Sequence, residues 1–314
     1  MIIYIISDGK HDHLTQTRGL ADALLERARK ACPEMQHSCH EISVAGKSWF
    51  AKLFYKGKDL ELPRPHLILC AGHSTHLAAL SLARHLRCLC MVCMRPSLPL
   101  SMFDLCITPR HDVPENGVPA SNVFLTNGSI NNIKPHPEKE KKYTLVLIGG
   151  PNKEFKWEAE HILTQLRTIA SKSSRPILLT TSRRTPSDFV DDVTSACPNI
   201  RVEAFEQTGD TWVADQLASA AEVWVTQDSG TMVYEALSSG SPVGIIEMPR
   251  KRPPHKNKQS RIERGINMLI ADGGTNSFTE WAKTNTLPHP ENVIDEAARA
   301  ADYILSKFPD LLPN

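Results

Sequence analysis

The sequence of 314 residues lacks an excess of charge of either sign. Its 36 lysines and arginines are nearly balanced by 35 aspartates and glutamates, which leaves a formal net charge of +1. Proteins that bind nucleic acid through its phosphates usually carry a clear basic excess. We therefore expect no nucleic-acid partner.

The sequence also lacks a long apolar run. It nowhere contains the ~20 consecutive apolar residues that a helix needs to cross a bilayer. Its opening apolar run is short and meets Asp8 directly, without the positive charge and small-residue cleavage site of a signal peptide. We expect a buried first strand and a cytoplasmic protein.

Paired metal-binding motifs are missing, although the chain has eight cysteines. Cys88, Cys90 and Cys93 have the spacing C-x-C-x-x-C but no second matching pair. With Cys70 and Cys106 they lie in apolar, strand-like runs, which predicts reduced cysteines packed in a core. A metal site in this run is the alternative interpretation.

Short apolar runs alternate with amphipathic stretches along the chain. With 41% hydrophobic and 23% charged residues, the composition is that of a soluble globular protein. An apolar run, a Gly or Ser turn and then a helix form the βαβ pattern of a mostly parallel sheet. We predict strands at 2–6, 35–43, 66–71, 89–94, 105–108, 122–125, 144–148, 177–181, 200–203, 222–226, 243–246 and 268–270. We predict helices at 15–30, 76–86, 156–172, 187–196, 210–219, 230–238 and 291–308.

A polar, proline-containing segment at 132–142 interrupts this pattern. It predicts a linker between two Rossmann-like domains, at 1–135 and 143–290, that face an interdomain cleft. Such a crevice is the usual ligand site in proteins of this architecture.

The strongest motif is Asp228-Ser229-Gly230-Thr231, which follows a predicted strand. Its small residues and the free N–H groups of the following helix favour a bound phosphate. Glu235 lies on the first turns of that helix, where a carboxylate can accept the two hydroxyls of a ribose. The alternative is that Asp228 and Ser229 only cap a structural helix.

Two further loops follow predicted strands of the second domain. Gly149 and Gly150 permit close backbone contact with a diphosphate. Ser182, Arg183 and Arg184 add hydroxyls and arginine forks that can clamp the same group. The alternatives are a plain strand–helix turn and a solvated basic turn. Because the sequence has no D-x-D motif at a suitable position, we expect metal-independent chemistry.

The first domain has a dense group of titratable residues just beyond its first strand. Transfer to a hydroxyl acceptor needs a base, and the candidates are Asp8, Asp12 and His13. Loop capping by Asp8 and solvated histidines are the alternative. Further residues expected on the acceptor side are Lys10, Gly72, His73 and His111.

Several ordered segments together resemble one known family. They are Ser7-Asp8-Gly9-Lys10 with His13 and Gln16; Phe103-Asp104-Leu105 through Pro109-Arg110-His111-Asp112; Leu147-Ile148-Gly149-Gly150 with Thr181 to Pro186; and the Asp228 to Glu235 motif with its Gly240-x-Pro242 turn. They resemble bacterial proteins of the mitochondrial-fission ELM1 family. The first loop departs from the family pattern, because His11-Asp12 stands where Pro-Gly is usual.

The resemblance implies a glycosyltransferase-B fold with the donor nucleotide in 143–290 and the acceptor in 1–135. It further implies a C-terminal segment, 291–314, that packs back onto the N-terminal domain. Bacterial members look like transferases acting on envelope glycans such as lipopolysaccharide. The implied activity is inverting transfer from a nucleotide-diphospho-sugar co-substrate, without a separate cofactor, to a glycan or glycolipid. Asp8 and His13 match the family motif and are the preferred bases.

Two alternative functions of other classes fit the same sequence. One is a non-catalytic adaptor that keeps the fold and recruits a partner; the other is a nucleotide-sugar epimerase acting on the same donor. The basic segment 250–258 is either a flexible charged loop or a contact with an anionic acceptor or membrane. The second interpretation predicts a protein at the periphery of the inner membrane.

Overall fold

The computed structural model describes residues 1–57, 61–113, 119–251, 259–290 and 293–312. The chain divides into two compact units, unit 1 with Met1–Asn132 and Asp295–Asn314, and unit 2 with Ile133–Ile294. Each unit holds a parallel six-stranded sheet within the described residues. This confirms the predicted α/β class with two Rossmann-like domains.

Unit 1 begins with alternating strands and helices. Its strands are β1 (Ile2–Ser7), β2 (Ser38–Ser43), β3 (Leu67–Ala71), β4 (Leu89–Cys93), β5 (Leu105–Pro109) and β6 (Val123–Thr126). The first helices are α1 (His11–Ala31), α2 (Trp49–Leu53) and α3 (His76–Leu86). The sheet order is β2-β1-β3-β4-β5-β6, so the strand order reverses between β1 and β3.

The strand β1 shows why this sheet is covered on both faces. Ile3 and Ile5 belong to one buried cluster with α1, whereas Ile2, Tyr4 and Ile6 belong to a second cluster with α3. Alternate residues of a strand point to opposite faces, so a continuous apolar run buries both. The cysteines of β3, β4 and β5 are buried and unpaired, as core packing predicts.

Unit 2 continues the alternation. Its strands are β7 (Tyr143–Leu147), β8 (Ile177–Thr180), β9 (Ile200–Glu203), β10 (Ala220–Thr226), β11 (Val243–Ile246) and β12 (Asn276–Ser277). Its helices are α4 (Ala159–Lys172), α5 (Phe189–Ala196), α6 (Trp212–Ser219), α7 (Gly230–Ser238), α8 (Arg261–Ala271) and α9 (Phe278–Thr284). The sheet order β12-β11-β10-β7-β8-β9 reverses between β7 and β10.

The last helix, α10 (Glu296–Lys307), returns to unit 1. Ala297, Ala300, Ala301 and Ile304 join the same buried cluster as α1. The helix starts at Glu296 and not at residue 291, because the side chain of Asp295 caps it by accepting from the Ala298 N–H at 2.8 Å.

Some sequence predictions differ from the structure. The strand predicted at 268–270 is wrong, because these residues lie inside α8. Ile266 and Leu269, on the apolar side of this helix, are buried in the same cluster as residues of the sheet. The short elements α2, α9 and β12 were not predicted. The predicted linker from residue 133 onward belongs to unit 2, where Ile133 packs against the core.

Two features bear on membrane contact. None of the helices in the described part of the chain is both long and apolar enough to cross a membrane. The basic segment 250–258 is described only at Arg250 and Lys251, and Arg250 pairs with Glu263. The remainder of that predicted contact lies outside the described residues.

Candidate functional site

The first candidate site lies at the carboxyl ends of β7, β8 and β10 in unit 2. The sheet order reverses between β7 and β10, and open α/β sheets bind ligands at such a reversal. The two strand ends are joined by the Gly149 N–H, which donates to the Thr226 hydroxyl at 2.7 Å. Asn152 extends this junction by donating to the carbonyl of Asp228 at 3.1 Å.

The carboxylate of Asp228 ties the three loops together. Its Oδ2 accepts from the Gly150 N–H at 3.0 Å and pairs with the Arg184 guanidinium at 2.6 Å. Its side chain is 0% exposed, whereas that of Arg184 is 40% exposed. Asp228 was predicted to bind the donor, and in the structure its carboxylate lies beneath the surface and orients Arg184. Arg184 is the charge that can reach a ligand.

The two glycines are required by this packing. A Cβ on Gly149 would lie 2.3 Å from the Asp228 carboxylate, and a Cβ on Gly150 would lie 2.3 Å from the Arg184 carbonyl oxygen. Side chains at these positions would displace the ion pair. The glycines predicted to allow close approach of a diphosphate thus also allow close approach of Asp228 and Arg184.

The two arginines of the loop after β8 have different contacts. Arg184 Nη1 donates to the Gly150 carbonyl at 3.0 Å, which fixes its direction. Arg183 is exposed and its guanidinium lies 5.1 Å from the centre of the Phe205 ring. Ser182 and Thr185 close the turn between them, because the Ser182 N–H donates to the Thr185 hydroxyl at 2.8 Å.

The helix α7 begins beside this network. Ser229 occupies the position before its first turn and makes no side-chain hydrogen bond to the helix. The interpretation that Asp228 and Ser229 only cap the helix therefore does not describe their contacts. The first-turn N–H groups of Gly230 and Thr231 carry the positive end of the helix dipole, which stabilises an anion. Glu235 lies farther along α7 and is partly buried.

The second candidate site lies at the reversal of strand order in unit 1, between β1 and β3. The Asp8 carboxylate accepts from the Ser74 hydroxyl at 2.6 Å and contacts His13 Nδ1 at 3.0 Å. Burial opposes its ionisation, but the hydrogen bonds from Ser74 and His13 outweigh burial and lower the pKa of Asp8. Asp8 is thereby held as a carboxylate and is a poor proton acceptor.

His13 is the residue whose ring contacts the Asp8 carboxylate. It lies in the first turn of α1, because the helix starts at His11, four residues earlier than predicted. Its ring packs over Gly72, where an added Cβ would lie 2.2 Å from the ring. The Asp8 carboxylate on Nδ1 orients the imidazole, so that Nε2 is the ring nitrogen left to contact another group.

The other residues predicted on the acceptor side differ in exposure. His73 is exposed, and Lys10 is exposed with its ammonium 3.8 Å from the Asp8 carboxylate. The ring of His111 is mostly buried beside Asp112. Asp12 is exposed on α1. In the described ranges no group of three or more His, Cys, Asp or Glu side chains could hold a metal ion.

The hydrogen bonds of three further residues were not predicted from the sequence. Ser74 holds Asp8, Thr226 receives the Gly149 N–H, and Asn152 holds the loop after β7. Asn152 also accepts from the N–H groups of Glu154 and Phe155, both at 2.8 Å. An Asn two residues before such N–H groups is a local turn signal that could have been recognised. The roles of Ser74 and Thr226 depend on strand order, which the sequence does not state.

The comparisons with known proteins place these sites in a family context. The family model described as mitochondrial fission ELM1 matches residues 13–308. An uncharacterised protein of Rickettsia prowazekii is 27% identical over 289 aligned residues, which cover 76% of this chain and 79% of the relative. The family match spans both units and includes the candidate site of unit 2, whereas in unit 1 it begins at His13 and does not reach Asp8.

Solved structures share the fold at low sequence identity. A Listeria monocytogenes protein assigned as a UDP-N-acetylglucosamine 2-epimerase has a TM-score of 0.63 at 12% identity, covering 98% of this chain and 97% of that one. A Methanocaldococcus jannaschii UDP-GlcNAc 2-epimerase, solved with UDP-GlcNAc and UDP, scores 0.53 at 12% identity, covering 98% and 100%. AviGT4, a glycosyltransferase of avilamycin A biosynthesis, scores 0.53 at 14% identity, covering 99% and 98%. The chain therefore has the fold of the glycosyltransferase-B class.

Proposed function

We propose that this chain, which belongs to the mitochondrial fission ELM1 family, is a metal-independent inverting glycosyltransferase. It would move a sugar from a nucleotide-diphospho-sugar to a glycan or glycolipid of the cell envelope. The observation that carries the proposal is the network of Gly150, Arg184 and Asp228 at the strand reversal of unit 2. A non-catalytic adaptor would not need a buried carboxylate, Asp228, that orients the side chain of Arg184.

The network suits the diphosphate of a donor. Arg184 is held in one direction by Asp228 and by the Gly150 carbonyl while part of its side chain stays exposed. An oriented guanidinium, a second arginine at Arg183 and an uncapped helix N-terminus can neutralise the charge that develops on a leaving diphosphate. In this proposal Glu235 accepts the ribose hydroxyls, and no metal is required.

Unit 1 supplies the base in this proposal. In an inverting transfer the acceptor hydroxyl loses its proton as its oxygen bonds to the anomeric carbon and the nucleoside diphosphate leaves. His13 Nε2 takes the proton, and Asp8 stabilises the resulting imidazolium through Nδ1. Ser74 keeps the Asp8 carboxylate in place.

Donor binding is tested by thermal shift against UDP, GDP, ADP, CMP and dTDP. A nucleotide at ~100 times its dissociation constant stabilises the folded state by roughly 2.7 kcal/mol. We expect a shift with one nucleotide, which Arg183→Ala and Glu235→Ala reduce. Arg201→Ala is the matched control, because Arg201 is an exposed arginine on β9 that pairs with Glu203. If no nucleotide stabilises the wild type, the adaptor hypothesis takes precedence.

Catalysis is tested separately, by following sugar incorporation into envelope glycolipids. His13→Gln should keep the nucleotide shift but lower transfer by ~10²-fold or more, because a positioned base contributes that much. His11→Gln, at an exposed neighbouring position, should leave transfer unchanged.

An epimerase is the second candidate, because proton transfer at a sugar carbon also needs a base such as His13. It requires no acceptor. Product analysis with the donor alone distinguishes the two, since an altered sugar without an acceptor would indicate epimerisation.

A further inference from the structure

An apolar surface on unit 1 is not explained by the proposed active site. We call residues 47–56 the α2 segment. Its Trp49, Phe50 and Phe54 are 57%, 69% and 68% exposed, and Met102 is 42% exposed. In the described part of the chain these are four of five strongly exposed large apolar residues, the fifth being Val293 in unit 2. Large apolar residues grouped in this way mark a contact surface, whereas isolated ones do not. We call the four residues the aromatic patch.

The aromatic patch borders a groove between α2 and α3. The groove has a volume of about 440 Å³. Five apolar residues line it, and they are Leu53, Phe54, Leu77, Leu80 and Met102. Its lining also includes the cationic side chains of Lys56 and Arg84. Apolar residues next to cations are typical of segments that lie in a bilayer interface.

The sequence around the patch has an excess of positive charge. From residue 42 to 103 it has eight lysines and arginines against two carboxylates, Asp59 and Glu61. The α2 segment itself contributes Lys47, Lys52 and Lys56, and the Lys47 ammonium lies 5.5 Å from the centre of the Tyr55 ring. The patch is therefore complementary to an anionic partner.

The composition favours a lipid surface over a protein. Protein interfaces are depleted in lysine at their centre, whereas lysines near tryptophan and phenylalanine are typical of membrane interfaces. A second copy of the chain, docked symmetrically, would bring the same lysines against each other. An anionic bilayer is the occupant that fits both the aromatic side chains and the positive charge.

We propose that the surface of α2 and α3 binds the face of an anionic phospholipid bilayer. Trp49, Phe50 and Phe54 enter the headgroup region, and Lys52 and Lys56 lie against lipid phosphates. This surface is distinct from the basic segment 250–258. The inference extends the proposed function, since it would bring unit 1 to a glycolipid acceptor, but vesicle binding without nucleotide sugar tests it independently of any transfer activity.

The test is co-sedimentation with vesicles of phosphatidylcholine alone and of phosphatidylcholine with phosphatidylglycerol. We expect binding to the anionic vesicles, weakening as salt is raised, and a blue shift of Trp49 emission on binding. The variant Trp49→Ser/Phe50→Ser/Phe54→Ser and the variant Lys52→Glu/Lys56→Glu should each lower the partition coefficient about tenfold or more. Trp49→Phe should bind normally and abolish most of the blue shift.

The control is Lys139→Glu/Lys283→Glu, which makes the same charge change at exposed positions of unit 2. It should bind like the wild type, and all variants should keep the wild-type unfolding midpoint because the changed residues are at the surface. Failure of the wild-type protein to co-sediment with anionic vesicles would overturn the proposal. So would equal binding by all variants, or a concentration-dependent dimer that the aromatic variant abolishes.

Discussion

At the scale of single residues, Gly9 and Gly72 show how one backbone conformation serves two purposes. Both have a positive φ, +80° and +81°, which side-chain-bearing residues rarely adopt. Nothing lies within 4 Å of the place where a Cβ of Gly9 would stand, whereas the His13 ring lies 2.2 Å from that of Gly72. Gly9 is needed for the turn alone, and Gly72 for the turn and for the imidazole.

This pair allows backbone strain to be separated from displacement of His13. Gly9→Ala and Gly72→Ala should each lose about 1–2 kcal/mol in the free energy of unfolding from the positive φ. Only Gly72→Ala should also displace the imidazole, and we expect it to lower transfer activity by ~10²-fold. Urea unfolding and the transfer assay measure the two effects. Equal activity of both variants would contradict the placement of His13.

The burial of His76 is expected to affect the stability of the fold. Its side chain is buried on α3 against Phe103, with ring centres 5.5 Å apart. Burial, together with the nearby His73 and His13, lowers its pKa from 6.5 to about 4. The folded state therefore holds His76 neutral over a pH range in which the unfolded chain binds a proton.

The pH dependence of stability follows from this shift. The contribution of neutral His76 to the free energy of unfolding is complete above about pH 6.5. It falls by roughly 3 kcal/mol as the pH is lowered towards about 4. His76→Gln should flatten the fall of the free energy of unfolding between these values, measured by urea unfolding at several pH values. His85→Gln, on the exposed side of the same helix, should retain the wild-type slope.

At the scale of elements, α10 is attached to α1 by two kinds of contact. Ile304 is fully buried in the cluster that includes Leu20 and Leu24. Asp302 pairs with Arg27 at the rim, where the aspartate side chain is mostly exposed. Apolar burial should dominate, since exposed ion pairs contribute little after screening by water and salt.

Two variants on the same helix test this ranking. Ile304→Ala should cost about 2–5 kcal/mol, because it leaves a cavity in the core. Asp302→Asn should cost less than about 1 kcal/mol. Urea unfolding of both variants gives the comparison, and a larger loss for Asp302→Asn would mean that the ion pair fixes the helix.

At the scale of the whole molecule, the chain leaves unit 1 at residue 132 and returns to it at residue 295. Unit 2 is thus continuous in sequence, and its two buried clusters are formed by residues between Ile133 and Ile294. Unit 1 is discontinuous, because α10 completes one of its clusters.

This connectivity predicts different behaviour of fragments. A fragment of residues 133–294 should unfold cooperatively on its own, because it contains its entire sheet and core. A fragment of residues 1–132 should be markedly less stable until a peptide of residues 295–312 is added. Circular dichroism during urea unfolding measures both. A fully stable 1–132 fragment, unaffected by the peptide, would contradict the role of α10.

Much of the architecture could be predicted from the sequence because local patterns carry it. Helix α3 and strands β9 and β11 were predicted at their observed bounds, since each apolar run is delimited by turn residues. The strand at 268–270 was predicted wrongly because a run of three apolar residues fits a strand and a buried helix turn equally well. The α2 segment was missed because its aromatic residues face outward and leave no amphipathic pattern.

By itself, the sequence determined the fold class, the family motifs and the residue types available at each strand end. Only the tertiary structure decided how these residues combine. Asp8 accepts a hydrogen bond from Ser74, and Asp228 pairs with Arg184, because strand order brings distant loops side by side. That order depends on how whole helices and sheets pack, and no local pattern of residues encodes it.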